Sequence, residues 1–228
     1  ILISRLVDRA CRPMFPDDYH HETQINISLV SADAEALPDC LAALSASAAL
    51  AVSDIPFNGP ISEARVIKNE AGYLVNPTPE QIQTATLNLI VAADSKNILM
   101  VEGELAEAPE EDMIGAIAAA HEVIKEQCRV QQEMMEAVGT VQKREYVRDP
   151  QDPELEKEIF DKLYDKMYKV ATSSIANKSE RKEAFSAIKE EYLESLPEDT
   201  ELDMSLVKRY LKKTEKKAAR DGVLNTRI

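Results

Sequence analysis

The sequence predicts an α+β domain, with a mostly antiparallel sheet and helices on one face, followed by an all-helical bundle. Two observations predict this. Before about residue 140, short β-rich segments bounded by turn formers are mixed with Ala- and Leu-rich helical stretches, whereas only helical periodicity follows. The charge changes at the same place: residues 1–140 hold 8 Lys and Arg against 22 Asp and Glu, and residues 141–228 hold 19 of each. We therefore expect two differently built pieces.

The first element is a predicted helix with three arginines on one face. Arg5, Arg9 and Arg12 lie at i, i+4 and i+7, and Pro13 ends the helix because the residue before a proline leaves the α region. Guanidiniums grouped on one edge of an acidic protein indicate a phosphate-binding surface, since the planar fork of arginine matches phosphate oxygens. The alternative is a solvated face on which Asp8 pairs with one of the arginines.

The other elements of the first piece follow from periodicity and turn chemistry. Residues 23–31 alternate apolar and polar side chains, which predicts a half-buried strand. Thr78 is a candidate helix cap, and Gly139 is a candidate C-cap. In chain order, the predicted elements are strand 23–31, helix 38–52, strands 61–67 and 73–76, a short helical turn from 77–80, strands 86–92 and 98–103, and helix 110–138.

The second piece is predicted to be a three-helix bundle that follows a charged, proline-bearing connector. Apolar residues every three or four positions predict helices at 154–175, 179–196 and 203–220. Asp203 is the candidate cap of the last helix. The end of that helix carries the basic run Lys212–Arg220, which either contacts RNA or is a solvated end that suits the helix dipole. No catalytic constellation occurs in this piece.

Side chains that carry chemistry in other proteins are assigned structural roles here. His121 lies on the apolar stripe of the long helix, where a packed core histidine is expected rather than a catalyst. Asp17, Asp18, His20 and His21 crowd one loop without the spacing of a metal site. The three cysteines are widely spaced, which indicates apolar fillers in a reducing cytoplasm. We therefore assign no catalytic residue and no metal ligand to this chain.

The composition excludes two classes of protein. No apolar run reaches about 18 residues, so no membrane span is predicted. The net charge of −14 makes the chain a poor general binder of nucleic acid, whose phosphates it repels. Nucleic-acid contact must therefore be local, as at the face that carries Arg5, Arg9 and Arg12.

Four sequence blocks, taken together, resemble bacterial polynucleotide phosphorylases. They occur in the order of that family and at about its spacing, and are Ser4–Arg9 with Arg12–Pro16, Ile55–Ile61, Val75–Thr78 and Leu99–Glu102. The family is a phosphate-dependent 3′→5′ exoribonuclease and polyribonucleotide nucleotidyltransferase that acts in mRNA degradation. Each subunit carries two RNase PH-like domains joined by a helical domain, then KH and OB-fold modules, and three subunits form a ring around an RNA channel.

The resemblance maps the chain onto part of that plan. It implies most of the first RNase PH-like domain at 1–140 without its first strands, a linker at 141–152, the helical domain at 153–222, and the start of a connection to the second RNase PH-like domain at 223–228. The family's catalytic site is assigned to that second domain, with Mg²⁺ and inorganic phosphate. This chain alone is therefore expected to be inactive and to hold no cofactor.

The resemblance also bears on the arginine-bearing helix. In RNase PH-like domains such a helix lies beside the RNA and phosphate site, which in the first domain is non-catalytic. It therefore favours an RNA-facing role for Arg5, Arg9 and Arg12. It further implies a cytoplasmic homotrimer that takes the 3′ end of single-stranded RNA, with this part guiding RNA and scaffolding the ring.

Two other functions stay open, because a fold does not fix a function. One is a non-catalytic RNA- or protein-binding scaffold module with an RNase PH-like fold. The other is an independent small-molecule enzyme on a similar α+β fold. The sequence argues against the second, since it has no Gly-rich phosphate loop, nucleophile pair or ligand cluster.

Overall fold

The computed structural model describes residues 1–139, 142–197 and 202–226, which form two compact units. The first unit is Ile1–Arg148, and the second is Asp149–Ile228. The first combines helices and strands, whereas every regular element described in the second is a helix. The predicted fold class is confirmed. None of the described helices has both the length and the apolar character needed to cross a membrane.

All but one of the elements predicted for the first unit are found in the structure. In chain order they are helix α1 (Leu2–Cys11) with a 3-10 turn at Arg12–Met14, helix α2 (Asp39–Ala51), strands β1 (Ser62–Asn69) and β2 (Gly72–Val75), helix α3 (Pro79–Ile82), strands β3 (Leu87–Ala93) and β4 (Ile98–Leu105), and helix α4 (Glu110–Val138). Thr78 forms a capping box with Gln81, and Gly139 ends α4 with a φ of +93°. The strands form one antiparallel sheet of order β2-β1-β3-β4.

Helices cover both faces of this sheet, rather than the single face expected. On one face, Leu89 and Val91 pack in a cluster with Ile124 of α4. On the other face, Ile90 and Ala92 pack in a cluster with α1 and α2. Six of the seven residues of β3 are buried, and a strand that is apolar on both sides needs a covering layer on each side.

The segment 23–31 is not the half-buried strand that its alternation predicts. It forms no strand, and Ile25, Ile27 and Leu29 are 37%, 44% and 64% exposed. Within the described residues the sheet ends at β2 and β4, so the segment has no ladder partner there. Alternation and β-propensity produce a strand only where a neighbouring strand supplies hydrogen bonds and a packed face.

Residues 142–148, which the sequence assigns to a linker at 141–152, are attached to the first unit. Arg144 holds the carboxylate of Asp54 through two hydrogen bonds of 2.6 and 3.1 Å. Lys143 Nζ donates hydrogen bonds of 2.7 to 3.2 Å to three carbonyls, those of Leu50, Ala51 and Ser53. These carbonyls lie at the end of α2, where a helix leaves acceptors unpaired, so Lys143 serves as a C-terminal cap.

The second unit is a bundle of helices α5 (Pro153–Ala171), α6 (Lys178–Glu194) and α7 (Met204–Thr226). Its core includes Ile159, Met167, Phe185 and Leu211, from all three helices. Asp203 accepts the Ser205 N–H at 2.8 Å, which confirms it as the cap of α7. Helix α7 continues beyond its expected end, and the expected boundary at position 141 and the last two residues of the connection at 223–228 lie outside the described residues.

Candidate nucleic-acid interface

Helix α1 exposes the three arginines that the sequence singles out. The buried residues of the helix are Leu6, Val7, Ala10 and Cys11. Because the helical period turns the other side to solvent, Arg5 and Arg9 are exposed, and Arg12 at the start of the 3-10 turn is exposed as well. The α-helix ends close to Pro13, but the predicted reason is wrong. Arg12 keeps α-region angles, with φ −54° and ψ −44°, and the chain continues through Pro13 in the 3-10 turn. These three arginines are called the α1 edge below.

The three arginines of the α1 edge differ in their partners. Arg12 holds Asp8 through hydrogen bonds of 2.6 Å from Nη2 and 3.3 Å from Nε. Arg9 pairs with Glu102 on β4. The guanidinium of Arg5 forms no hydrogen bond or ion pair with any residue that the structure describes. Exposed ion pairs contribute little stability, so Arg9 and Arg12 are partly neutralised but not locked, and Arg5 is fully available to an external anion.

A cavity of about 410 Å³ opens beside Arg12. Its lining includes the rings of Phe15 and Tyr19, which stack with centroids 6.1 Å apart. Aromatic rings next to a guanidinium are surfaces on which unpaired bases stack. Asp8 and Asp17 also line the cavity, so it offers aromatic surface without an excess of positive charge. This cavity is therefore a weaker candidate for phosphate than the α1 edge itself.

A buried carboxyl group that sequence reasoning missed lies in the core beneath α1 and α2. Glu63 on β1 is 2% exposed, and neither of its carboxyl oxygens has a hydrogen-bond partner among the described residues. Burial, and after it the charge of Asp39, raises the pKa of Glu63 from 4.5 to about 7. The sequence signal was its position two residues after Ile61, on the face of the strand that must be apolar.

The surroundings of Glu63 leave it without a counter-charge. It lines a cavity of about 200 Å³ together with Arg65, but Arg65 donates to Asp39 at 2.5 Å and to Asn88 at 2.7 Å. Burial raises the pKa of the nearby Cys11 thiol to about 12, so that thiol stays protonated and unreactive. The group can therefore hold a proton near neutral pH, but it is positioned for no reaction with a nucleophile.

His121 and the buried Ser47 occupy structural positions. His121 Nε2 lies 3.0 Å from the carbonyl oxygen of Asp94, at the turn between β3 and β4. Ser47 Oγ accepts the N–H of Ile61 at 2.9 Å. Across the described ranges, including the His20–His21 loop, no three His, Cys, Asp or Glu side chains form a group suited to a metal ion.

Two models of one protein family match the first unit. The model described as the 3′ exoribonuclease family, domain 1, matches residues 1–56, and the model described as domain 2 of that family matches residues 59–123. Together they cover slightly more than half of the chain. The two segments share one core, since Leu6 and Ala46 of the first belong to the same cluster as Ile90 of the second.

Curated relatives match along the whole chain. Over 227 residues it is 51% identical to the polyribonucleotide nucleotidyltransferase of Cytophaga hutchinsonii. The aligned part covers 100% of this chain and 32% of the relative. It is 52% identical to the protein of that name in Parabacteroides distasonis, covering 99% of the chain and 30% of the relative. It is also 51% identical to the protein of that name in Amoebophilus asiaticus, and this alignment covers 99% of the chain and 32% of the relative. The chain spans about a third of the length of these relatives.

The chain belongs to the 3′ exoribonuclease family. The resemblance to polynucleotide phosphorylases that the four sequence blocks indicate is confirmed, since relatives at about 50% identity bear the name polyribonucleotide nucleotidyltransferase.

Proposed function

We propose that this chain holds and guides single-stranded RNA, entered from its 3′ end, for a phosphate-dependent 3′→5′ exoribonuclease and polyribonucleotide nucleotidyltransferase acting in mRNA degradation. The observation that carries the proposal is the α1 edge, where Arg5 has no carboxylate partner among the described residues. In a chain of net charge −14, an unneutralised guanidinium beside two others is a local attraction for phosphate. The family relationship supplies RNA as the polyanion.

We assign no catalytic step to this chain. For the whole enzyme we propose Mg²⁺ and inorganic phosphate as cofactor and co-substrate, a homotrimer and a cytoplasmic location. The described residues offer no group suited to Mg²⁺, so no step through that ion is assigned to them. His121 and the buried Ser47 are each engaged by a backbone group. The remaining machinery is expected in other parts of the enzyme.

This lack of catalysis has a direct test. Incubated with Mg²⁺, phosphate and poly(A), the 228-residue chain should release no nucleoside diphosphates, and it should not polymerise them in the reverse direction. Release of nucleoside diphosphates at a rate that a substitution in this chain abolishes would overturn the assignment. Release that no such substitution affects would point to a contaminating enzyme.

A non-catalytic scaffold is the second candidate, and one observation favours it. Arg9 pairs with Glu102 on β4, and Arg12 pairs with Asp8 on its own helix. Arginines that tie a helix to a sheet and to itself are what a purely structural edge would show. In that case the fold is used as a binding or assembly module, and the α1 edge takes no part in holding RNA.

Binding isotherms with a short oligo(A) separate the two candidates. Arg5→Ala, Arg9→Ala and Arg12→Ala are compared with Arg129→Ala, whose exposed guanidinium on α4 is held by two glutamates of its own helix. RNA guiding predicts that Arg5→Ala weakens binding several-fold for every RNA sequence, because phosphate contacts carry no sequence information. It also predicts that the slope of log Kd against log salt concentration becomes smaller by about 0.7. Unchanged affinity and slope in all three α1 variants would assign the edge to the scaffold role.

A further inference from the structure

Helix α7 carries a line of cations on its solvent side. Lys208, Lys212, Lys216 and Arg220 recur every four residues, and all four are exposed; they are called the α7 stripe below. The buried residues of the helix lie on the opposite side and are Leu206, Val207, Tyr210, Leu211, Thr214, Ala218 and Gly222. With a rise of about 1.5 Å per residue, neighbouring cations are about 6 Å apart along the axis, and the stripe is about 18 Å long.

The α7 stripe differs from its surroundings in its lack of carboxylate partners. On its flanks the charges are neutralised within the unit, in the pairs Lys213–Glu156, Lys217–Asp221 and Lys189–Glu215. The side chains of Lys208, Lys212 and Lys216 form no hydrogen bond or ion pair with any described residue. The pKa of Asp221 is lowered mainly by its hydrogen bond from Lys217 and, to a smaller degree, by the charge of Arg220. The structure gives Arg220 no ion pair with that carboxylate. The outward face of α7 therefore presents unopposed positive charge.

This segregation is not a consequence of general basicity. Residues 141–228 are neutral as a whole, with 19 Lys and Arg against 19 Asp and Glu. Within α7 alone there are seven Lys and Arg against two Asp and Glu, and both acidic residues are engaged by lysines. Like charges spaced i, i+4 destabilise a helix. A series of them, kept free of the many carboxylates in the same unit, indicates a site for an external polyanion.

We propose that the α7 stripe binds the phosphate backbone of single-stranded RNA, with one phosphate for each cation. The spacing along the stripe is comparable with that of successive phosphates on an extended strand, and lysine contacts phosphate as a point charge without reading the base. The site lies on a different unit from the α1 edge and uses none of its residues. It rests on the proposed function only for the identity of the polyanion.

Two other polyanions fit the stripe less well. A helix that lies on an anionic membrane needs exposed apolar residues beside its cations, whereas the apolar side of α7 is used along most of its length in the core of the bundle. An acidic protein surface would meet the stripe with carboxylates at irregular positions. The regular four-residue spacing instead matches a partner with evenly spaced charges.

Neutralising the stripe in the full chain tests the proposal. The stripe variant carries K208Q, K212Q and K216Q, and the matched control carries K157Q, K169Q and K182Q, three exposed lysines of α5 and α6 without ion pairs among the described residues. With fluorescent oligo(A) at low salt, the stripe variant should bind about tenfold more weakly. Its log–log slope of Kd against salt should fall by about 2, since each phosphate on a single strand contributes about 0.7. The control should keep both values.

A charge-preserving variant with K208R, K212R and K216R separates loss of charge from loss of fold. It should bind oligo(A) like the unchanged chain. Equal losses in the stripe and control variants would overturn the proposal, because net charge alone would explain them. Tighter binding of polyglutamate, or of phosphatidylserine vesicles, than of oligo(A) at equal total charge would overturn it as well. Arg5→Ala is measured in parallel, so that failure of the stripe and failure of the α1 edge are recorded separately.

Discussion

The α1 edge of the first unit and the α7 stripe of the second present their cations to solvent in different ways. In the first unit, Arg9 and Arg12 are each paired with a carboxylate, and only Arg5 of the α1 edge has no described partner. In the second unit, the α7 stripe keeps three lysines in a row without any partner among the described residues. The net charge of a unit therefore does not locate a site for a polyanion; the pairing of each individual cation does.

The units also differ in what they bury. The first unit encloses the carboxyl group of Glu63 without a hydrogen-bond partner among the described residues, near the half-buried Asp39–Arg65 pair. Among the described residues of the second unit, no Asp, Glu, Lys or Arg side chain is buried. The stability of the first unit is therefore expected to depend on pH near neutrality, whereas no comparable group in the second unit gives it such a dependence.

The largest effect that would sharpen this comparison is expected from Glu63→Gln. The pKa of Glu63 is raised from 4.5 to about 7 in the folded chain, so between these values the folded state holds more protons than the unfolded state. Its contribution to the free energy of unfolding therefore falls as pH rises through that window. Glu63→Gln removes the charge, and it should stabilise the first unit by about 2–3 kcal/mol at about pH 8 and change little at about pH 4.

Urea unfolding, followed by the NMR amide signals of the first unit at both pH values, measures this effect. Glu104→Gln is the control, because Glu104 is exposed on β4 and its removal changes the net charge equally. An equal stabilisation by Glu63→Gln at both pH values would show that the raised pKa is not its cause. The amide signals of the second unit should not respond to either substitution.

A smaller effect is expected from Lys143→Ala. Its ammonium group donates to three carbonyls at the end of α2, which lose this donor in the variant. Hydrogen bonds to a charged donor are worth about 1.5–3 kcal/mol, and water will replace part of them, so a loss of about 1–2 kcal/mol from the first unit is expected. The neighbouring exposed residue gives the control, Gln142→Ala. If the two variants unfold with the same free energy of unfolding of the first unit, residues 142–148 are a loosely attached connector.

The smallest effect is expected from Asp8→Asn, which frees Arg12 from its i, i+4 partner. Because exposed pairs of this kind are weak, oligo(A) binding at low salt should tighten only about twofold, and the gain should vanish at high salt. Glu136→Gln removes an equal exposed charge on α4, which covers the face of the sheet opposite to α1, and serves as the control. A gain of the same size in both variants would mean that only the overall charge matters.

The parts of the fold that the sequence predicted correctly are those fixed by neighbours along the chain. The Thr78 cap, the neighbouring strands β1 and β2, and the Asp203 cap each depend on a few adjacent residues. The strand prediction for the segment 23–31 was wrong, because a strand also needs a ladder partner that the segment's own sequence does not contain. The second helical layer of the sheet was missed although the apolar run of β3, with six of its seven residues buried, is typical of a strand that is covered on both faces.

The same limit applies to the candidate site. Helical spacing predicted that Arg5, Arg9 and Arg12 are exposed together, because it depends only on the period of one helix. It did not predict which of them is neutralised, since Glu102 lies 93 residues from Arg9 in the chain. Glu63 was missed for a related reason: its charge appears ordinary until two helices are packed over its side of β1.

A double-mutant cycle on Arg9 and Glu102 tests most directly the central claim that a carboxylate partner keeps an arginine of the α1 edge from phosphate. Glu102→Gln should strengthen oligo(A) binding about two- to fivefold at low salt, beyond the effect of Glu104→Gln on the same strand. In an Arg9→Ala background, the gain should shrink to that of Glu104→Gln. An equal gain with and without the Arg9 guanidinium would contradict the account.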